Sequence, residues 1–295
     1  MKRAAGLVTL ALLASALPAE AGGPRRVNGQ GVPLTWPSGT VVYHPEAGGL
    51  GVLSPAEALT LLRSAYPRWL SGYANLTLSD QPSVIPLDIN AVGTPATNPA
   101  HWANFWCLPG SPGCSDGRSP VIFDDDGSIV DDMFGSGARF DILGAASIDD
   151  PITLGATISQ ASLVVNGAFF DGLGAPDSPP DLPSVLSLEA VLVHEIGHTL
   201  NLDHSVVNQE LANDGDPDND LYVPTMFPLT TDDEAALADV NPDDWAAVAA
   251  LYPAADFATT TGKISGHVVA GGLPFQGADV VLRANLQPLY HAYSG

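Results

Sequence analysis

His194-Glu195-Ile196-Gly197-His198-Thr199-Leu200-Asn201-Leu202-Asp203-His204 holds three of the chain's seven histidines. On a helix, residues four apart stand one above the other on the same face. His194 and His198 are so spaced, and their imidazoles can grip one small cation at about 2.0–2.1 Å. Glu195, next to the first of them, reaches a metal-bound water without being a ligand. This is the H-E-x-x-H arrangement, a metal pair and a general base on one helix. Had the helix continued, His204 would lie far along its axis, so the chain must turn after His198. Asn201 is the expected pivot, because Asn is the non-glycine residue that best tolerates the left-handed conformation at a helix end. Three nitrogens then leave one open position, the catalytic rather than the closed structural pattern. Zinc at such a site lowers the pKa of its water toward about 7, and Glu195 is placed to take the proton. The alternative is a helix with surface histidines and an incidental glutamate. Four residues of the right type at fixed offsets favour the metal site.

The stretch resembles the extended zinc motif of the metzincin metallopeptidases, with Asn201 where the family usually has glycine. Ser205, after the third histidine, resembles the matrixin branch. Downstream, Val223-Pro224-Thr225-Met226-Phe227-Pro228 is similar to the methionine turn of that family, in which a Met side chain floors the zinc histidines. Met226 is one of only three methionines. The resemblance implies a zincin-type α+β domain with a twisted mixed sheet and an active-site helix. His194, His198 and His204 would be the zinc ligands and Glu195 the catalytic base. An edge strand would hold an extended protein or peptide substrate, and Phe227 and Pro228 would shape its pocket. It covers residues 27–253, with the specific motifs confined to 194–205 and 224–228.

The rest of the chain supplies the expected frame. Residues 40–44 read as a strand rich in β-branched residues. Ser54-Pro55-Ala56-Glu57 is a capping box with proline at the first helical position. Leu59, Leu62, Tyr66, Trp69 and Leu70 mark its apolar face, which Pro67 bends or shortens. Short strands are expected at 76–78, 84–89, 121–123, 140–143 and 163–165, between loops rich in Gly, Pro and Asp. The active-site helix is expected to be capped by Ser187, with Glu189 in its first turn and Leu188, Val191, Leu192 and Ile196 on its buried side. Asn241-Pro242-Asp243-Asp244 opens a last helix that Pro253 ends. A linker at 254–262 leads to two strands, 263–269 and 278–283. They resemble the start of a carboxypeptidase-regulatory-like β-sandwich, an incomplete segment spanning 263–295.

Composition bounds the function. Ten Lys and Arg stand against 33 Asp and Glu, a formal charge of −23. No Lys or Arg lies between Phe140 and Thr261, where most of the acids fall. Such a surface repels nucleic acid and anionic membranes. Asp124, Asp126 and Asp131, and separately residues 213–220, offer oxygens for calcium, although neither run has full EF-hand spacing. Plain acidic turns are the alternative.

Residues 1–21 read as a signal peptide: Lys2 and Arg3, an apolar run, then Ala19-Glu20-Ala21 as cleavage site. An N-terminal membrane anchor is the other reading, and no later apolar run is long enough to span a bilayer. The mature, exported chain is expected to start near Gly22. In an oxidising compartment Cys107 and Cys114 are expected to pair across a turn-rich loop. Neither precedes the first strand, so blockade of zinc by a propeptide cysteine is not expected. The sequence reads as a secreted zinc endopeptidase. Its rival is a non-catalytic secreted adhesion or binding module stapled by zinc, against which the intact Glu195 argues. Oligomeric state is left open.

Overall fold

In the computed structural model, residues 22–70, 74–80, 88–99, 118–148, 155–262, 264–275, 278 and 280–294 are described. The expected targeting segment, the Cys107–Cys114 pair, residues 84–87 and Lys263 lie outside them.

The chain forms an α+β fold on a five-stranded mixed sheet. Its strands are β1 (Thr40–Pro45), β2 (Thr77–Asp80), β3 (Pro120–Asp124), β4 (Gly144–Ile148) and β5 (Ala161–Asn166), in the order β2-β1-β3-β5-β4. The first four in that order run parallel, while β4 is antiparallel to β5 and forms an edge. β3 and β5 are buried along their whole length, as strands covered on both faces must be. One face carries α1 (Pro55–Ala65) and the long helix α4 (Val185–Thr199). The other carries α2 (Ile89–Val92) and α3 (Ser128–Phe134), closed by Ile89, Ile122, Ile129, Val130 and Val164. α5 (Pro242–Leu251) follows the loops after α4. Among the described residues no helix is long and apolar enough to cross a membrane.

The capping box at Ser54 forms, with Glu57 accepting from the Ser54 backbone N–H. Pro67 ends α1 in the tighter turn Tyr66–Trp69. That turn inserts Trp69 into the core, and its indole N–H donates to Val193 O of α4 at 2.9 Å. Two more aromatic side chains serve the far end of α4. Trp36 Nε1 donates to Thr199 O at 2.8 Å and Tyr252 Oη to Leu200 O at 3.0 Å. Helix C-terminal carbonyls lack intrahelical partners. Here residues from both ends of the domain supply them and fix the helix against the sheet.

Four expectations need correction. Residues 140–143 do not form a strand. Asp131 accepts from the Gly137 and Arg139 N–H groups, and Asn166 Nδ2 donates to Arg139 O and Ile142 O. Side chains thus take the backbone groups a ladder would need, and β4 starts at Gly144. Ile89 opens a helical turn capped by Asp88 rather than ending a strand. The cap of α4 is Ser184, whose Oγ accepts from Ser187 N, so Ser187 lies inside the helix. Glu189 is then beyond the first turn and pairs with Arg68 at 3.2 Å. After a helical turn at Phe257–Thr260, β6 (Val269–Ala270) pairs with β7 (Leu273–Pro274) across Gly271 and Gly272. Both glycines have positive φ, the tight two-residue hairpin that Gly-Gly favours. The expected partner strand, β8 (Val281–Arg283), pairs instead with β9 (Ala292–Ser294), which returns to α5 through Ser294 and Asp243.

Glu46, just past β1, is buried and accepts from the backbone N–H groups of Ile89 and Phe123, tying the start of α2 to β3. Burial pushes its carboxyl up to about 8. A carboxyl raised in the folded state holds a proton there that the unfolded chain releases. Its stabilisation is therefore present at low pH and is lost as pH rises from about 4.5 to about 8. Glu46→Gln is expected to make stability against pH shallower in that window by up to one proton, about 1.4 kcal/mol per pH unit. Urea unfolding at several pH values checks this.

Candidate metal centre

α4 sets His194 and His198 on one face, and the chain then reverses. Leu200 caps the helix and Asn201 adopts φ 72°, the left-handed conformation. Asn201 N donates to His198 O at 3.0 Å and Leu202 N to Gly197 O at 3.1 Å. These two bonds make a Schellman turn with Asn201 at its left-handed position. The reversal returns His204 to the helix. Its ring centre lies 5.4 Å from that of His194 and 4.7 Å from that of His198. His198 Nε2 and His204 Nε2 are 3.1 Å apart. Two nitrogens each bound to one tetrahedral ion at the usual distance stand roughly 3.3 Å apart. Among the described residues, these three side chains are the group of His, Cys, Asp or Glu whose donor atoms gather within reach of one ion.

The outer nitrogens fix which inner nitrogens face the site. His194 Nδ1 lies 2.7 Å from Thr225 O and His198 Nδ1 2.9 Å from Leu202 O. A carbonyl only accepts, so each Nδ1 carries the proton and each Nε2 turns a lone pair inward. Burial reinforces this. It pushes His194 down to about 3 and His204 down to about 4, and holds His198 well below the ordinary value. Neutral imidazoles with convergent lone pairs repel one another and suit a shared cation such as zinc.

Glu195 is buried, and burial pushes its carboxyl up to about 8 against the opposing pull of the Arg25 guanidinium. Its Oε2 is enclosed with no partner among the described residues. A buried carboxyl oxygen without a partner is the kind of group that calls for a polar partner. The Glu195 side chain also lies against β4, for a Cβ on Gly144 would fall 2.8 Å from Glu195 Cγ.

Met226 is buried under the helix, and a Cβ on Gly197 would come 2.3 Å from its Sδ. Thr225 gives its carbonyl to His194, and Met226 O accepts from Ser205 N at 2.9 Å. The turn itself hangs from α5: Asp244 accepts from Thr225 N at 2.7 Å and Met226 N at 3.3 Å. Asp243 accepts from Ser205 Oγ. Sequence reading gave these two acids only the role of first-turn charges, yet they hold both loops of the metal site. Both are buried, and their partners lie 18 to 38 residues away, out of reach of any local pattern. Phe227 packs with Ala190, Val223 and Leu237 in a buried cluster rather than standing open to the site.

The acidic runs are engaged elsewhere. Asp124 accepts from Val130 N and Asn90 Nδ2, Asp126 from Ser128 N, and Asp131 from two backbone N–H groups. In the second run Asp214 accepts from Asp216 N and Asn219 Nδ2, and Asp220 from Asp233 N. Most of these bonds close local turns, while Asn90 to Asp124 and Asp233 to Asp220 join segments apart in the chain.

No protein-family model matches the chain, and no curated protein matches it. The convergence of three histidines in a mixed α/β fold is therefore the finding on which function rests.

Gly197→Ala is expected to force Met226 and Trp69 apart, since its Cβ would also fall 2.8 Å from the Trp69 ring. Overpacking of this kind costs about 1–3 kcal/mol. A lowered midpoint in urea, with weaker zinc retention against a chelator, checks it.

Proposed function

We propose that this protein is a zinc-dependent endopeptidase of the metzincin type, matrixin-like, acting after export. The observation that carries the proposal is the gathering of one nitrogen from each of three histidines within 4.8 Å of one another, with the adjoining Glu195 buried and its Oε2 without a partner among the described residues. His194, His198 and His204 would hold the ion, which when bound supplies Lewis-acid polarisation of a peptide carbonyl and of a water. Glu195 takes a proton from the attacking water and delivers it to the leaving amine. Burial raises the proton affinity of the carboxyl, which favours the first of these transfers. β4 is an edge of the sheet, where an extended peptide would add as a further strand in place of the Arg25 contact to Ala146 O. The Met226 turn and the Asp244 carboxylate keep the His194 ring oriented from below.

Glu195→Gln is expected to keep its zinc and to cut casein 10²–10⁴-fold more slowly, roughly the share of a general base. A chelator should abolish cleavage and added zinc restore it. Wild type that loads zinc yet cuts no unfolded protein would favour a zinc-stapled binding module instead. Gly144→Ala, whose Cβ would meet Glu195 Cγ at 2.8 Å, is expected to retain zinc by metal analysis while hydrolysis falls about tenfold or more.

A further inference from the structure

Asn201 stands where the resembling motif has glycine. Glycine satisfies a positive φ at no steric cost, so the backbone angle alone gives no reason for a side chain here. In this protein the side chain is completely buried and fully bonded. Its Oδ1 accepts from Arg26 N at 2.8 Å, and its Nδ2 donates to Arg26 O and to Leu34 O, each at 2.8 Å. The backbone around it continues the seam. Arg25 N donates to Asn201 O at 2.9 Å, Asp203 N to Gly23 O at 3.0 Å, and Gly22 N to His204 O at 3.1 Å. Pro24 and Leu202 pair as an antiparallel bridge. Residues 22–26 thus lie as a short strand along the loop that ends in the third histidine.

The three histidines differ in what holds them. His194 and His198 ride on a helix, and each has its Nδ1 on a backbone carbonyl. His204 rides on a loop, and no bond to its Nδ1 is found among the described residues. Its ring position therefore follows from the backbone of residues 201–204, which the seam fixes. The same segment sends Arg25 across to the edge strand, where Nη1 donates to Ala146 O at 2.9 Å.

We propose that Asn201 is a positioning residue for the metal centre: its side chain clamps residues 22–34 onto the His204 loop and so sets the third ligand. The inference rests on the metal-centre reading above and deepens it. The clamp replaces, for His204, the carbonyl contact that orients the other two rings. By linkage, an ion bound at His204 must in turn tighten the clamp.

The test is Asn201→Gly in the full chain. Glycine keeps the left-handed backbone and removes only the three side-chain bonds. Zinc affinity, measured by competition with a chromogenic chelator, is expected to fall about tenfold or more, as loss of ligand-orienting contacts does. The visible spectrum of the cobalt-substituted variant should lose intensity as His204 leaves the coordination sphere. A variant with wild-type zinc affinity and an unaltered cobalt spectrum, even with a lowered melting temperature, would overturn the proposal. Hydrogen exchange of wild type serves if the variant does not fold. Zinc should slow exchange at the amides of Arg25, Arg26 and Asp203, and no change there would equally overturn it. Wild type that binds neither zinc nor cobalt would instead refute the metal centre itself.

Discussion

One left-handed residue sets the geometry of the whole site. α4 alone can align two imidazoles, and the third arrives only because the chain reverses at Asn201 with φ 72°. The two Schellman bonds, to Gly197 O and His198 O, satisfy carbonyls that the helix end would leave open. Trp36 and Tyr252 satisfy the next two, Thr199 O and Leu200 O. The helix stops cleanly because every carbonyl at its end has a donor. The direction in which His204 leaves is a consequence of that stop.

The three histidines are then packed on by groups that belong to other segments. The Met226 turn lies below, carried by Asp244 and aligned with the His204 loop through Ser205. β4 lies above, close enough to Glu195 that only glycine fits at Gly144. The segment at residues 22–26 lies alongside. Packing here leaves little room for change: Gly197 meets Met226 on one side and Trp69 on the other. Interiors packed this tightly transmit small displacements, so residues remote from the three histidines bear on where their rings stand.

Electrostatics follows from the same enclosure. The chain carries a formal charge of −23, yet at the site burial keeps the histidines neutral and the glutamate easy to protonate. Arg25 is the cation that bears on Glu195, and it comes from the segment that Asn201 holds. Burial, rather than the surface charge, thus sets the protonation of the groups at the site.

The spacing of His194, Glu195, His198 and His204, the pivot at Asn201, and the caps at Ser54 and Asn241 were legible in the sequence. Each depends on a short-range rule of helix periodicity or end geometry that acts over a few residues. Local chemistry was less informative where side chains compete for the backbone. Residues 140–143 lost their strand to Asp131 and Asn166, and the cap of α4 moved to Ser184. Only the tertiary structure decided that Asp243 and Asp244 carry the Met226 turn and the His204 loop, and that Asn201 binds residues 26 and 34. Those partners are far apart along the chain. Their pairing depends on how the sheet, α4 and α5 pack, which no local pattern encodes.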